Sequence, residues 1–397
     1  MRVVVAPDKF KGCLTAPEAA AAIARGVRSA CAEADIEVCP VADGGDGTME
    51  VLAGATGGRR IRCWVTGPLP GTRVRATFGM LGDGVTAVVE MAEASGLRLV
   101  GERCPGPLKT TTYGTGELLV AAARRGAKRI ILGIGGSATT DGGVGCAQAC
   151  GAVEVHLAKG RADGRRSGSD GSSPLSRPFV GADLAALRSV RRVAEHALRG
   201  VEILVACDVS NPLTGRRGAA RVFGPQKGAT PKQVEMLDGG LARLARMLGA
   251  QELARKPGAG AAGGLGFGMM AFFGAQLRSG AKLVLEALKV RSRLARADLC
   301  FTGEGSFDAQ SLSGKAPAEV ARLCAEMGVP CVLLAGRVDA SARRRFAEAA
   351  VLPVCDGPMS LRESMARARQ LLADTAAAAM RMFMAGAARH KRGRIYQ

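Results

Sequence analysis

Several apolar segments of this chain end in the same way, and that repetition constrains the fold more than any other feature. RVVVA (residues 2–6) runs into PDKFKG, IEVCPV (36–41) into ADGGDGT, and RIILG (129–133) into IGGSATTDGG. EILVACDV closes on Asp208, and ADLCFTGEGSFD closes on an acidic, glycine-bearing turn. A short continuous apolar run bounded by Gly, Asp or Pro reads as a strand buried on both faces, as in a parallel sheet. Parallel strands need crossover helices, so the pattern implies the α/β class. In such sheets ligands bind outside the carboxyl ends of the strands, where these polar turns lie.

Helical stretches fall between the strands. Thr15 with Pro17 in the first turn opens a helix to about residue 34, and Thr230-Pro-Lys-Gln233 is a capping box for a helix to about residue 248. Residues 60–66, 72–79 and 85–91 alternate like strands, and a helix is expected over 114–125. From residue 315 the chain reads helix, strand (329–336), helix (339–350), strand (351–355) and a last helix over 359–384, with a frayed basic tail. Residues 158–178 are polar, basic and rich in Gly and Ser, as in a surface loop. A length of 397 residues suggests two domains. The two ends of the chain resemble one another in style. The sequence therefore predicts a discontinuous Rossmann/flavodoxin-like α/β domain (1–85 plus 290–397) with a second α/β domain inserted (86–289).

A formal charge of +20 admits a nucleic-acid binder or an enzyme for anionic substrates. Aromatic residues are only 4%, too few for base-stacking platforms, so no specific nucleic-acid partner is expected. Twelve cysteines without any C-x-x-C, and histidines only at 156, 196 and 390, give no zinc pattern. Reduced thiols in a cytoplasmic protein are the simple expectation. No signal peptide and no membrane-length apolar run is evident.

The turns carry the candidate chemistry. ADGGDGT sets Asp43 and Asp46 on a glycine-rich strand end, oxygen ligands for a hard cation such as Mg²⁺. APDKFKG places Asp8 beside Lys9 and Lys11, a carboxylate with two cations suited to an anionic substrate. GIGGSATTDGG begins as a loose G-x-G-x-x-A dinucleotide string, but no clear acidic residue follows about twenty positions on. It reads instead as a phosphate-cradling loop through Gly135, Gly136, Ser137, Thr139, Thr140, Gly142 and Gly143, with Asp141 available for metal or base work. GEGSFDAQSLSGK supplies Glu304, Asp308 and Lys315 for metal and phosphate handling, without being a Walker A loop. Asp208, Asn211, Gln226 and Lys227 are weaker candidates in turns that would be polar anyway. A nicotinamide-dependent oxidoreductase, a nucleic-acid binder and a non-enzymatic scaffold are the rival readings.

Taken in order, APDKFKG, ADGGDGT, EMAEASGL, TTTYGTGEL, GIGGSATTDGG, ACDVSNPLTG, FGPQKGAT, PGAGAAGGLGFG and FTGEGSFDAQSLSGKAP resemble the type 1 glycerate kinase family over nearly the whole chain. The resemblance implies ATP- and Mg²⁺-dependent phosphorylation of D-glycerate to 2-phosphoglycerate, by two α/β domains with the site in the cleft between them. Two positions depart from the family pattern: Thr140 stands where Asn is usual, and Ser306 where Arg is frequent. On this reading Lys9 and Lys11 meet the substrate carboxylate, and backbone N–H groups of 134–143 hold the ATP phosphates. Mg²⁺ takes one or two of Asp43, Asp46 and Asp208. Asp141, with Asp8 next, accepts the hydroxyl proton.

Overall fold

The computed structural model describes residues 1–101, 105–158 and 174–393. Most of the polar loop expected at 158–178 lies outside them. The chain is α/β, and its residues form two compact units, Met1–Asp43 with Ala281–Gln397, and Gly44–Gly280.

The first unit is built from both ends of the chain around a five-stranded parallel sheet. Its strand order is Ala350–Pro353, Cys331–Val338, Leu299–Phe307, Arg2–Val5 and Asp35–Val38. The apolar runs are buried because helices cover them. Thr15 caps the Ala16–Ala30 helix, its side chain accepting from Glu18 N–H while Glu18 accepts from Thr15 N–H, the reciprocal capping box. The inner face of that helix (Ala19, Ala20, Ile23, Val27) joins Phe301, Leu334, Leu372 and Met380 in one apolar core. The helix expected over 339–350 is a short Ala340–Arg344 turn capped by Asp339. The last helix, Ala368–Gly393, extends past the expected end at 384, into residues read as a frayed tail.

The second unit holds a six-stranded mixed sheet in the order Gln276–Arg278, Glu202–Ala206, Arg129–Gly133, Thr86–Glu90, Arg73–Met80 and Arg59–Thr66. The first four strands are parallel, and the last two continue as an antiparallel meander. A separate hairpin pairs Val153–Leu157 with Leu187–Arg192. The core includes Phe78, Leu118, Leu132 and Phe267. The expected boundary at 85/86 differs from the observed division after Asp43. The physical reason is hydrogen bonding: the strands expected at 60–66 and 72–79 form at Arg59–Thr66 and Arg73–Met80, but they ladder onto Thr86–Glu90 and so belong to the second sheet. Alternation shows that a strand exists and not which sheet it joins.

Candidate functional site

Two sets of polar turns follow from this arrangement, one on each unit. In the first unit, the strands Arg2–Val5 and Leu299–Phe307 are hydrogen-bonded neighbours with Val5 opposite Phe301, so the segment after Val5 runs beside the second half of Leu299–Phe307. Asp8 N–H donates to Gly303 O at 2.9 Å, extending that register beyond the strand. The result is a cavity of about 450 Å³ walled by Asp8, Lys9, Lys11, Asp43, Glu304, Ser306, Lys315 and Arg337, with Phe10, Leu361 and Met365 as its apolar side.

Asp8 is only 5% exposed, and its side chain accepts from Lys9 N–H at 2.6 Å. Burial, and next the negative charge of Asp43, raise its carboxyl from the ordinary range to about 7. Glu304 is also raised, chiefly by burial, and Lys315 Nζ opposes this from 3.4 Å. The second oxygen of Glu304 is buried with no hydrogen-bond partner among the described residues. Asp308, expected beside it, is not in the cavity wall. Its carboxylate accepts from Gln310 N–H and Ser311 N–H and shapes the turn. Arg337, which the sequence reading missed, enters because Cys331–Val338 lies against Leu299–Phe307 with Ser306 and Arg337 in register.

In the second unit the glycine loop after Arg129–Gly133 divides in two. Gly135 and Gly136 are exposed and Ser137 is half-buried, whereas Thr139, Thr140, Asp141, Gly142 and Gly143 are in the interior. The inner half packs on PGAGAAGG. Residues 262–264 all adopt left-handed backbone conformations, and a Cβ on Gly263 would sit 1.9 Å from Thr139 O. Thr139, Thr140, Gly142 and Gly143, expected to meet the nucleotide, are thus buried in this structure. The helix that should follow a dinucleotide fingerprint directly begins only at Val144, so that rival loses its structural context.

Asp141, the favoured candidate for the base, is buried as well. Its Oδ2 accepts from Thr112 N–H and Thr112 Oγ1–H, both at 2.8 Å, and its Oδ1 accepts from Gly143 N–H at 3.0 Å. It is a buried acceptor that ties the 110–112 turn to the glycine loop, with no surface for a substrate proton.

Other residues hold the outer half of the loop. Lys227, rated weak in the sequence, is 1% exposed and donates to Ser137 Oγ (2.8 Å) and Thr139 O (2.7 Å). Glu90 ends its strand buried and accepts from Gly47 N–H and Met49 N–H, fixing the start of the Thr48–Ala55 helix. A charged residue closing the apolar run TAVVE was the available signal for it. Asp46 pairs with Arg98 at 3.8 Å, and its Oδ1 lies near Gly136, where a Cβ would be 3.4 Å away. Asp208 accepts from Gly280 N–H at 3.0 Å.

Among the described residues, only the buried thiols of Cys300, Cys324 and Cys331 bring three potential ligand atoms within 4.8 Å of one another. No carboxylate trio does so. The carboxylates thus form no closed cage, which suits Mg²⁺, an ion held by one or two protein carboxylates and by phosphate oxygens. Accessible backbone at Gly135 and Gly136, with no Cβ to keep a phosphate away, fits a nucleotide phosphate chain.

Polar turns at the carboxyl ends of parallel strands, with a buried carboxylate among cations, define an α/β enzyme site for small anions. A profile of the glycerate kinase family matches residues 3–384. The chain is 44% identical over 385 residues to the glycerate kinase of Bacillus subtilis (strain 168), covering 95% of this chain and 96% of that one. It is 44% identical over 339 residues to the glycerate 2-kinase of Escherichia coli (strain K12), covering 85% of each. A crystal structure of a candidate glycerate kinase 2 from Salmonella typhimurium LT2 superposes with a TM-score of 0.81 at 40% identity, covering 97% of this chain and 99% of that one. The chain belongs to the glycerate kinase family, and it is an enzyme of the kinase class. No described helix is long and apolar enough to cross a membrane.

Proposed function

We propose that this enzyme transfers the γ-phosphoryl group of ATP to the 2-hydroxyl of D-glycerate, giving 2-phosphoglycerate and ADP, in the cytoplasm. The observation that carries the reading, beside family membership, is the first-unit cavity: a carboxyl raised to about 7 stands among Lys9, Lys11 and Arg337. That combination suits a small molecule with one anionic group and one hydroxyl to be deprotonated.

Asp8 is the group proposed to accept the hydroxyl proton, in place of the buried Asp141. A base with a pKa near the working pH is in its ionised form often enough, yet still holds a proton well. Lys9 and Lys11 add positive charge to the cavity that holds the anionic substrate. Exposed backbone at 135–137, held by Lys227, is proposed for the nucleotide phosphates. Asp43, Asp46 and Asp208 remain the proposed residues for Mg²⁺, which when bound neutralises charge on the phosphate oxygens. Glu304 and Lys315 form a pair in the cavity wall that sets local charge.

The test is ADP release from ATP and Mg²⁺ with and without D-glycerate, with ³¹P NMR of the product. Glycerate-dependent ADP and a 2-phospho product are expected, and chelation by EDTA should stop both. A 3-phospho product or no glycerate dependence would overturn the reading.

A further inference from the structure

Resting on that reading, we infer that Arg337 is the residue that grips the substrate carboxylate and so selects hydroxy-acids over uncharged alcohols. Several cations wall the cavity, and they are not equivalent. Lys315 is committed to Glu304 at 3.4 Å. Lys9 and Lys11 follow Asp8 directly in the chain, so they share the neighbourhood of the proposed base. The side chain of Arg337 makes no hydrogen bond or ion pair among the described residues, and Asp339, an acidic group near it, caps the Ala340–Arg344 helix.

Its placement is set by the sheet. Cys331–Val338 and Leu299–Phe307 are parallel, with Glu304 opposite Ala335 and Ser306 opposite Arg337. Register partners in a parallel pair point to the same face and lie about 4.8 Å apart. Glu304, Ser306 and Arg337 therefore share one face, and all three wall the cavity. The backbone there is close-packed: a Cβ on Gly336 would stand 2.7 Å from Gly305 O. The guanidinium is thus carried by a well-fixed strand. Ser306 opposite it is small and leaves room for a ligand. Of the cations present, only arginine offers two parallel N–H donors matched to the two oxygens of a carboxylate.

The same geometry supplies a stringent test. A guanidinium moved from position 337 to its register partner 306 would reach the same space. Arg337→Ser, Ser306→Arg and the transposed double variant Ser306→Arg/Arg337→Ser are compared with the wild type for KM and kcat toward D-glycerate and ATP. Folding is checked by circular dichroism, and glycerate binding by calorimetry. For Arg337→Ser, KM for D-glycerate should rise about 10- to 100-fold, the loss of a charge-assisted pair, with KM for ATP near the wild-type value. In the double variant at least half of that loss, on a logarithmic scale, should return. An unchanged KM for D-glycerate in Arg337→Ser, an equal loss toward ATP, or no recovery in the double variant would overturn the assignment while leaving the kinase reading intact. A wild-type enzyme that neither binds nor turns over D-glycerate would remove the kinase reading and the assignment together.

Discussion

The carboxylate of Asp141 receives both the backbone N–H and the hydroxyl of Thr112, each at 2.8 Å, in a site with no solvent exposure. The hydroxyl of Thr112 accepts in turn from Cys146 N–H, so one short chain of hydrogen bonds joins the 110–112 turn, the glycine loop and the helix after it. Burial alone would raise this carboxyl, and the donors from Thr112 and Gly143 act against that rise.

Asp141→Ala should therefore act first on stability. It strands the buried donors of Thr112, Gly143 and Gly145, and the expected cost is about 3–5 kcal/mol, read as a lower urea midpoint. Thr112→Val, which removes one donor of the same pair, should be destabilising and less than additive with Asp141→Ala. Full stability of Asp141→Asn with kcat lowered by orders of magnitude would instead return Asp141 to a chemical role.

Asp8→Asn should lower kcat by roughly 10²–10⁴-fold, the usual worth of a general base. Its effect on stability has the opposite sign. The carboxyl has a folded-state value of about 7 against 3.8 for the ordinary group, so the folded protein holds the proton more tightly. Stability contributed by this group is full at low pH and falls as pH rises from about 4 to 7, and it is level above that. Asparagine removes the penalty, so the variant should melt on the order of a few degrees higher at pH 8 and unchanged near pH 4. Equal melting shifts at both pH values would refute the buried ionisation.

Lys227→Met keeps most of the side-chain volume while removing both hydrogen bonds to the loop. The carbonyl of Thr139 and the hydroxyl of Ser137 lose a charged donor. KM for ATP should rise by about tenfold or more, with a smaller change in KM for D-glycerate. Equal effects on both substrates would argue that Lys227 supports only the fold.

Gly263→Ala tests the packing of the inner loop. The added methyl would meet Thr139 O at 1.9 Å in a backbone conformation with φ +67. Both effects oppose folding, and the variant should give little soluble protein, or a melting point lowered by about ten degrees or more. Gly239→Ala, where a Cβ meets nothing within 4 Å, is the control and should be near wild type.

The elements and motif turns were legible because their signals are local. Apolar runs ending in Gly and Asp mark buried strands, and Thr15 and Thr230 cap helices through residues three positions on. Asp8, Lys9, Lys11, Asp43, Glu304 and Lys315 were read as candidates and share one cavity wall. Burial was not legible. Asp141 and Thr140 sit in a string that looks like a phosphate loop from end to end, and only the packing of 262–264 against it shows that its second half faces inward.

The α/β class and the family rest on residue types at fixed short spacings and were legible in the chain, although Glu304 and Ser306, expected in a turn, lie within the strand Leu299–Phe307. The tertiary structure alone decided which sheet the 59–80 hairpin joins, which half of the glycine loop is accessible, and that Arg337 stands in register with Ser306. Those are relations between segments distant in the chain. They are set by which hydrogen-bonding edges and apolar faces find each other, and no local pattern of residues encodes that choice.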